Sequence, residues 1–290
     1  MAAMMPGKVE VCCLIGDPVE HSLSPLIHNT AFRKLKLNFT YIAFKVSKNE
    51  LKKAIEGLKA LNVRGINVTI PHKTEVIKYL DQIDCRALEV NAVNTIVNYN
   101  GVLKGFNTDV AGILRTLEER KISVKGKKAV IMGAGGIARA ATYALAMEGA
   151  REIIIANRTL TNAVKLAREL KKSVKVKVRT LPLTVKALKT ELKVSDMVVN
   201  CTPVGMSPHT DKTPIPKELL HEDLVVMDAV YNPLRTRLLR EAEEVGARIV
   251  DGLSMLIYQG AEAFKLWTGR EPPINSMRRA ALRVLRGENW

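Results

Sequence analysis

The 290-residue sequence is poor in aromatic side chains, at 4%, and has only four cysteines. It has no uninterrupted apolar run near the roughly 20 residues that a membrane-spanning helix needs. Few aromatics, none interleaved with a basic cluster, leave no stacking platform for single-stranded nucleic acid. Cys12, Cys13, Cys85 and Cys201 fit neither a CxxC pair nor a zinc spacing, and in a strand Cys12 and Cys13 point to opposite faces. They read as buried thiols of a reducing cytoplasm, where the protein is expected to reside. His28, His209 and His221 form no grouping that suggests a metal, and none is expected. Met1–Val11 carries one lysine before a strand-like run and lacks a small-residue cleavage site, so no signal peptide is expected.

Positive charge is what the chain has in excess: 45 Lys and Arg against 29 Asp and Glu give +16. Nucleic acid therefore has to be weighed as a partner. The basic residues are spread over the whole length, however, and many sit beside acids, as in Lys48-Asn49-Glu50-Leu51-Lys52-Lys53. The densest stretch, Lys171 to Arg179, alternates Lys with Val and reads as the solvated face of a strand. A general positive field also attracts small anionic substrates, and neither nucleic acid nor membrane is expected as a partner. A hydrophobic fraction of 47% with mean hydropathy of +0.01 describes a globular protein with real cores.

Strand-like and helix-like segments alternate throughout, which predicts an α/β fold with largely parallel sheets. Val9–Gly16, Phe39–Val46 and Gly65–Ile70 read as strands. Ser24-Pro25 reads as an N-cap and first helical position, Ser47 and Glu50 as a capping box, and Pro71 as a helix start. Asn100-Gly101, between Ala92–Asn98 and Val102–Phe106, is a hairpin signal. After a helical pattern from about Thr108 to Arg120 a second βα series begins. It takes in strands at Lys128–Met132, Glu152–Ala156, Asp196–Asn200, Leu224–Asp228 and Arg248–Val250. Two helices, about Ser254–Thr268 and Asn275–Arg286, close the chain. The pattern predicts two α/β lobes, the second starting after about residue 110, with the closing helices returning to the first.

The strongest mechanistic signal is Gly133-Ala134-Gly135-Gly136-Ile137-Ala138, between a strand and a helix. Gly133 permits the tight turn, Gly135 lets the backbone approach a pyrophosphate, and Ala138 allows close helix–strand packing. The helix N-terminus offers free N–H groups to the phosphates. An NAD site usually carries an acid about 20 residues on, to hold the ribose 2′-OH. Here the strand ends in Ala156-Asn157-Arg158-Thr159 without one. Arg158 suits a 2′-phosphate, because guanidinium and phosphate match bidentately. NADP(H) is therefore the expected cofactor.

The first lobe carries polar residues that packing does not explain. They are His21-Ser22-Leu23-Ser24-Pro25, Asn67-Val68-Thr69-Ile70-Pro71-His72-Lys73, Ala92-Val93-Asn94-Thr95 and Gly105-Phe106-Asn107-Thr108-Asp109. Each lies at or near a strand end or loop, where substrate groups are commonly held. With Asn200-Cys201-Thr202-Pro203-Val204-Gly205-Met206, Asp228-Ala229-Val230-Tyr231 and Asp251-Gly252 through Gln259, in that order, the chain resembles the shikimate dehydrogenase family over essentially its whole length.

The resemblance implies NADPH-dependent, reversible reduction of 3-dehydroshikimate to shikimate, a step of aromatic amino-acid biosynthesis. It implies that Ser22 and Ser24 bind the substrate carboxylate and that Thr69, Lys73, Asn94, Asp109 and Gln259 contact the ring hydroxyls. Tyr231 would stand beside the substrate, and Ala229 and Gly252 beside the cofactor. Lys73 and Asp109 would be the catalytic pair. Alone, Lys73 reads as a solvated lysine in a helical first turn and Asp109 as a helix-initiating acid; Ser24 alone is an N-cap. In the first turn of a helix opened by Pro71, the dipole's positive end would disfavour the Lys73 ammonium and help it give up a proton. His21 and His72 are read as supporting polar residues. The implied architecture is a substrate lobe of residues 1–109 completed by helices within 253–290, and a Rossmann-type NADP-binding lobe at 110–252, closing around the substrate. A monomer or homodimer is expected. The rival readings are a quinate dehydrogenase of the same fold using NAD, and a non-catalytic NADPH- or nucleic-acid-binding protein.

Overall fold

The computed structural model of the chain describes residues 8–287. Residues 1–7, part of the stretch read for a signal peptide, lie outside the described residues. The chain divides into two compact units. One holds the described residues up to Leu88, Ala92–Thr108 and Gln259 onward, and the other holds Glu89–Asn91 and Asp109–Tyr258.

The first unit contains β1 (Glu10–Gly16), α1 (Ser24–Lys34), β2 (Phe39–Lys45), α2 (Leu51–Ala60), β3 (Gly65–Val68) and β4 (Gln82–Ile83). After α3 (Cys85–Val90) come β5 (Thr95–Tyr99) and β6 (Val102–Phe106). Its sheet has the order β2-β1-β3-β5-β6-β4. It is mixed rather than largely parallel: β1 pairs parallel with β2 and β3, while β3–β5 and β5–β6 are antiparallel. The β5–β6 hairpin follows from Asn100 and Gly101, whose φ angles of 51° and 93° suit a primed two-residue turn.

On one face α2 buries Leu51, Ile55 and Leu58, at helical spacing, against Ile15, Ile66 and Ile96. The Ser47–Glu50 capping box does not form. A 3-10 turn at Lys48–Glu50 precedes α2, and the Glu50 N–H donates to the Ser47 carbonyl (3.1 Å), not to its hydroxyl.

Much of the scarce aromatic content gathers at α1 and β2: Phe32, Phe39, Tyr41, Phe264 and Trp267. Trp267 donates to the Ile96 carbonyl at 3.0 Å and fills the space a side chain would take at Gly65, where a Cβ would lie 2.4 Å from its Nε1. His28 is enclosed in this cluster, stacked on Tyr41 at 4.6 Å and 12°. Neither of its ring nitrogens has a hydrogen-bond partner among the described residues. Cys12 and Cys13 are buried, and burial pushes the Cys13 thiol up to about 12. The expectation of four buried thiols fails at Cys85, which is exposed, and Cys201, which is half-buried.

The second unit contains α4 (Asp109–Glu119), β7 (Lys128–Met132), α5 (Gly136–Met147), β8 (Glu152–Asn157), α6 (Leu160–Leu170), β9 (Lys177–Pro182) and α7 (Val185–Leu192). β10 (Met197–Asn200), β11 (Val225–Asp228), α8 (Arg237–Glu244) and β12 (Arg248–Val250) follow. α9 (Gly252–Thr268) then divides between the units at Tyr258 and Gln259, and α10 (Ile274–Leu285) belongs to the first unit, where it packs on α1. The sheet is parallel throughout, in the order β12-β11-β10-β7-β8-β9. Counted from β7, this is the 3-2-1-4-5-6 order of a doubly wound dinucleotide fold. The basic stretch ending at Arg179 is only partly a solvated face. Arg179 grips Glu191 with two nitrogens (2.8 and 2.9 Å) and also reaches Glu152 (2.7 Å), while Lys128 binds Glu191 from inside at 2.7 Å. These cations hold the Glu191 carboxyl down at about 2.

Burial lowers His28 to about 3, against an ordinary imidazole value near 6.5. The unfolded chain therefore takes up a proton below pH 6.5 that the folded chain refuses until about 3, so folding stability falls as pH drops through that window. We predict that wild type loses stability relative to His28→Phe as pH falls from 7 to 4.5, on the order of 1 kcal/mol per pH unit. Denaturant titrations at each pH measure this, and parallel pH curves for the two proteins would sink it.

Candidate active site

In the first unit the site residues sit where β1 and β3 end side by side, with Ile15 in register with Val68. The loops beyond are tied together, Thr69 N–H to the Ile15 carbonyl (2.9 Å) and Asp17 N–H to the Ile70 carbonyl (2.8 Å). They approach so closely that a Cβ at Gly16 would lie 2.3 Å from the Thr69 methyl. Ser24 is the first residue of α1, not its cap; the cap position is Leu23, without a side-chain bond. The Ser22 hydroxyl accepts from the Ser24 N–H (3.2 Å), which directs its own proton elsewhere. Ser24 is buried.

Pro71 does not open an α-helix. Residues 71–75 form turns, followed by one short 3-10 segment at Val76–Tyr79. The cause is a long-range bond: the Val93 N–H donates to the Lys73 carbonyl at 2.7 Å, the acceptor a helix would need for its own ladder. The dipole argument for Lys73 therefore falls with the helix. What holds Lys73 is the turn itself, which leaves it 9% exposed. His72 is fixed differently. Its Nε2 lies 2.8 Å from the Val46 carbonyl, so the ring ties two loops together and serves the structural part expected of it.

Asn94 is the hub of this unit, at 2% exposure. Its Oδ1 accepts from the Thr108 N–H (2.7 Å), and its Nδ2 donates to the Thr108 hydroxyl (2.9 Å) and to Gln259 Oε1 (3.4 Å). Asn67 supports it from below, taking the Tyr41 phenol proton (2.7 Å) and donating to the Asn94 carbonyl (3.2 Å) and Thr95 hydroxyl (3.1 Å). Asn67 stands in one of the polar segments singled out in the sequence, but its partners, Tyr41 among them, were not legible there. Asp109, counted in the second unit, is buried in the first turn of α4, where an acid complements the helix dipole.

In the second unit β7 runs into Gly133, whose φ is +107° and whose Cβ would stand 3.2 Å from the Cys201 carbonyl oxygen. A side chain is excluded there on both counts. Gly135 caps α5 in extended conformation with open space where its Cβ would be, and α5 has no side-chain cap. Ala134 completes the turn, Gly136 and Ile137 open the helix, and Ala138 is buried beneath it. After β8, Asn157 Nδ2 closes a turn onto the Thr159 carbonyl (2.9 Å) and Thr159 forms no cap bond to α6. Arg158 is exposed and makes no ion pair among the described residues. An uncapped helix start with open glycine surface beside it, and an unengaged guanidinium one strand away, fit a dinucleotide that carries a 2′-phosphate.

Asp228, at the end of β11, is fully buried. It accepts from Asn200 Nδ2 (2.9 Å), the Val230 N–H (3.0 Å) and the Thr236 hydroxyl (2.7 Å). Burial raises its carboxyl to about 6 against the pull of those donors. Ala229 follows, its N–H on the Asn200 carbonyl (2.9 Å), and Tyr231 is half-buried two residues on. Gly252 lies against the same segment. Among the described residues no group of three or more His, Cys, Asp or Glu could hold a metal, and no helix is long and apolar enough to cross a membrane.

A doubly wound sheet with an open phosphate loop, joined in one chain to a unit holding a buried lysine and amide hub, defines a two-unit dehydrogenase of the nicotinamide-dinucleotide class. Three family models match. The shikimate dehydrogenase substrate binding domain matches residues 14–96, shikimate/quinate 5-dehydrogenase 116–210, and the shikimate 5′-dehydrogenase C-terminal domain 252–282. The chain is 50% identical over 288 residues, 99% of each chain, to the shikimate dehydrogenase (NADP(+)) of Methanopyrus kandleri. It is similar to the crystal structure of Thermus thermophilus shikimate 5-dehydrogenase in complex with NADP(H) and shikimate, with a TM-score of 0.84 and 37% identity over 95% of this chain and 99% of that one. It is also similar to Corynebacterium glutamicum quinate dehydrogenase in complex with NAD, at 0.86 and 32% over 94% and 99%. The chain belongs to the shikimate dehydrogenase family.

A Cβ at Gly252 would meet the Ala229 and Val230 carbonyl oxygens at 2.6 Å, and both belong to backbone that cannot rotate away. Gly252→Ala is expected to destabilise the second unit by about 1–3 kcal/mol, the usual cost of overpacking. A denaturant midpoint equal to wild type would show that the segment yields freely.

Proposed function

We propose that the chain is an NADP(H)-dependent shikimate dehydrogenase that reversibly reduces 3-dehydroshikimate to shikimate. The observation that carries the reading is Lys73, a lysine held 9% exposed on a turn anchored through its own carbonyl, in the unit built around Asn94. The non-catalytic rival gives a lysine kept from water at these strand ends no task.

Each residue then has a task. Ser22, Ser24 and the uncapped start of α1 bind the substrate carboxylate. Thr69, Asn94 and Gln259 contact the ring hydroxyls, and Tyr231 stands beside the ring. Bound NADPH supplies a hydride to the carbonyl carbon. The Lys73 ammonium gives its proton to the carbonyl oxygen as the alcohol forms, and in the oxidative direction the amine takes that proton back. Asp109 orients the ammonium and the hydroxyl. Gly133, Ala134, Gly135, Gly136 and Ile137 hold the pyrophosphate, Asn157, Arg158 and Thr159 the 2′-phosphate side, and Ala229 and Gly252 line the far end.

In this reading residues 1–109, completed by helices within 253–290, form the substrate lobe and 110–252 the cofactor lobe. The enzyme serves aromatic amino-acid and chorismate biosynthesis in the cytoplasm, as a monomer or homodimer. The quinate and NAD alternative is disfavoured by Arg158 and by the missing acid after β8.

Lys73→Ala is expected to lower kcat a hundredfold or more, on the order of what a positioned proton donor contributes, with a much smaller change in shikimate Kd. Near wild-type kcat in that variant would remove Lys73 from the chemistry. Arg158→Ala should cut kcat/KM with NADP⁺ by roughly ten- to a hundredfold, the worth of a charged hydrogen bond. With NAD⁺ it should change little. Equal losses with both cofactors would make Arg158 structural.

A further inference from the structure

We propose that Asp228 is a positioning residue that shapes the nicotinamide end of the cofactor site, through the strand-end loops it ties together. The inference rests on the dinucleotide reading of the second unit.

The direction of the cofactor follows from strand order. With the pyrophosphate on the β7–α5 loop and the adenosine ribose at Arg158 beyond β8, the other half of the molecule extends to the opposite side of β7. That side is occupied by β10 and β11. The loops after these two strands, Cys201–Met206 and Ala229–Tyr231, therefore border the nicotinamide.

Both loops converge on one carboxylate. Asp228 Oδ1 accepts from Asn200 Nδ2 and from the Val230 N–H, and Oδ2 accepts from the Thr236 hydroxyl. Asn200 passes the constraint on. Its Oδ1 takes both the N–H (3.0 Å) and the hydroxyl proton (2.7 Å) of Thr202, and its Nδ2 also reaches the Val204 carbonyl (3.3 Å). The Cys201 carbonyl and the Thr202 methyl stand against Gly133. Thr236 is the cap of α8, accepting from the Leu239 N–H at 3.3 Å. Three segments thus depend on Asp228, which makes no ion pair among the described residues. An apolar or singly accepting residue could complete the core at that position. Only a carboxylate offers acceptors to all three donors without placing a donor among them.

The test separates a role at the nicotinamide end from general support of the fold. Wild type, Asp228→Ala, Asp228→Asn and Thr202→Val are titrated calorimetrically with NADP⁺ and with 2′-phospho-ADP-ribose, which lacks the nicotinamide. Asp228→Ala is expected to weaken NADP⁺ tenfold or more and the fragment less than twofold. Asp228→Asn should fall between, because its Oδ1 still accepts from Asn200 and Val230 while its amide donates to the Thr236 oxygen. Thr202→Val removes only the far end of the relay and should weaken NADP⁺ about threefold, so the proposal remains testable if Asp228→Ala fails to fold. Equal weakening of both ligands, or of neither, overturns the role of Asp228 while the dinucleotide reading stands. A wild-type protein that binds neither ligand overturns that reading and the inference with it.

Discussion

Asn94, just before β5, and Asp228, at the end of β11, lie buried, and each is tolerable there only because its polar atoms are paired. An amide or carboxylate left unpaired at such a depth costs several kcal/mol. The pairing therefore dictates the surrounding backbone. Thr108 must bring its N–H to Asn94, and Val230 its N–H to Asp228. The loops that carry the proposed substrate and cofactor contacts are shaped by this demand, since they supply the donors. Glycine at positions 16, 133 and 252 meets the second half of the requirement, because loops drawn in this tightly leave no room for a Cβ.

Charge plays a different part. The excess of 16 positive charges is not neutralised locally, although some of it is organised in the Lys128–Glu191–Arg179–Glu152 cluster at the other end of the second sheet. The cluster's carboxylates are mostly buried and joined in a network, so it holds more firmly than isolated surface pairs would. The remaining field favours anions, and both proposed ligands, a carboxylate and a phosphorylated dinucleotide, are anionic. On the proposed reading local geometry selects where they bind, at helix starts without side-chain cap bonds in α1, α5 and α6.

The second unit was the more legible in the sequence because its strands are buried on both faces. Such strands read as continuous apolar runs, as at Lys128–Met132, whose bounds match β7. α7 is eight residues long and buries only Leu188 and Leu192, too few for a periodic signal, and β4 has two residues. At Pro71 a local motif is outcompeted by a distant partner: the proline announces a helix, but Val93 takes the carbonyl that helix would need. For the proposed site, the glycine loop and Arg158 could be picked out by type and spacing. Asn67, Asn200 and Asp228 stand in segments that carry the resemblance, but what they hold was not legible, because most of their partners are brought in by the fold and not by neighbouring sequence.

The same pairing also fixes a direction. The Thr108 N–H can only donate, so the Asn94 atom it meets must be the oxygen, and the Asn94 amide nitrogen necessarily faces Thr108 Oγ1 and Gln259. Gln259 then turns its own oxygen toward Asn94 at 3.4 Å, which leaves its NH2 group to point elsewhere as a donor. Neither amide is free to flip without setting like against like. On the proposed reading, Asn94 spends both its N–H groups inside the unit and acts by fixing which way Gln259 faces. The allocation of donors and acceptors is settled by a backbone amide before any substrate arrives, so binding need not reorganise the unit that makes it.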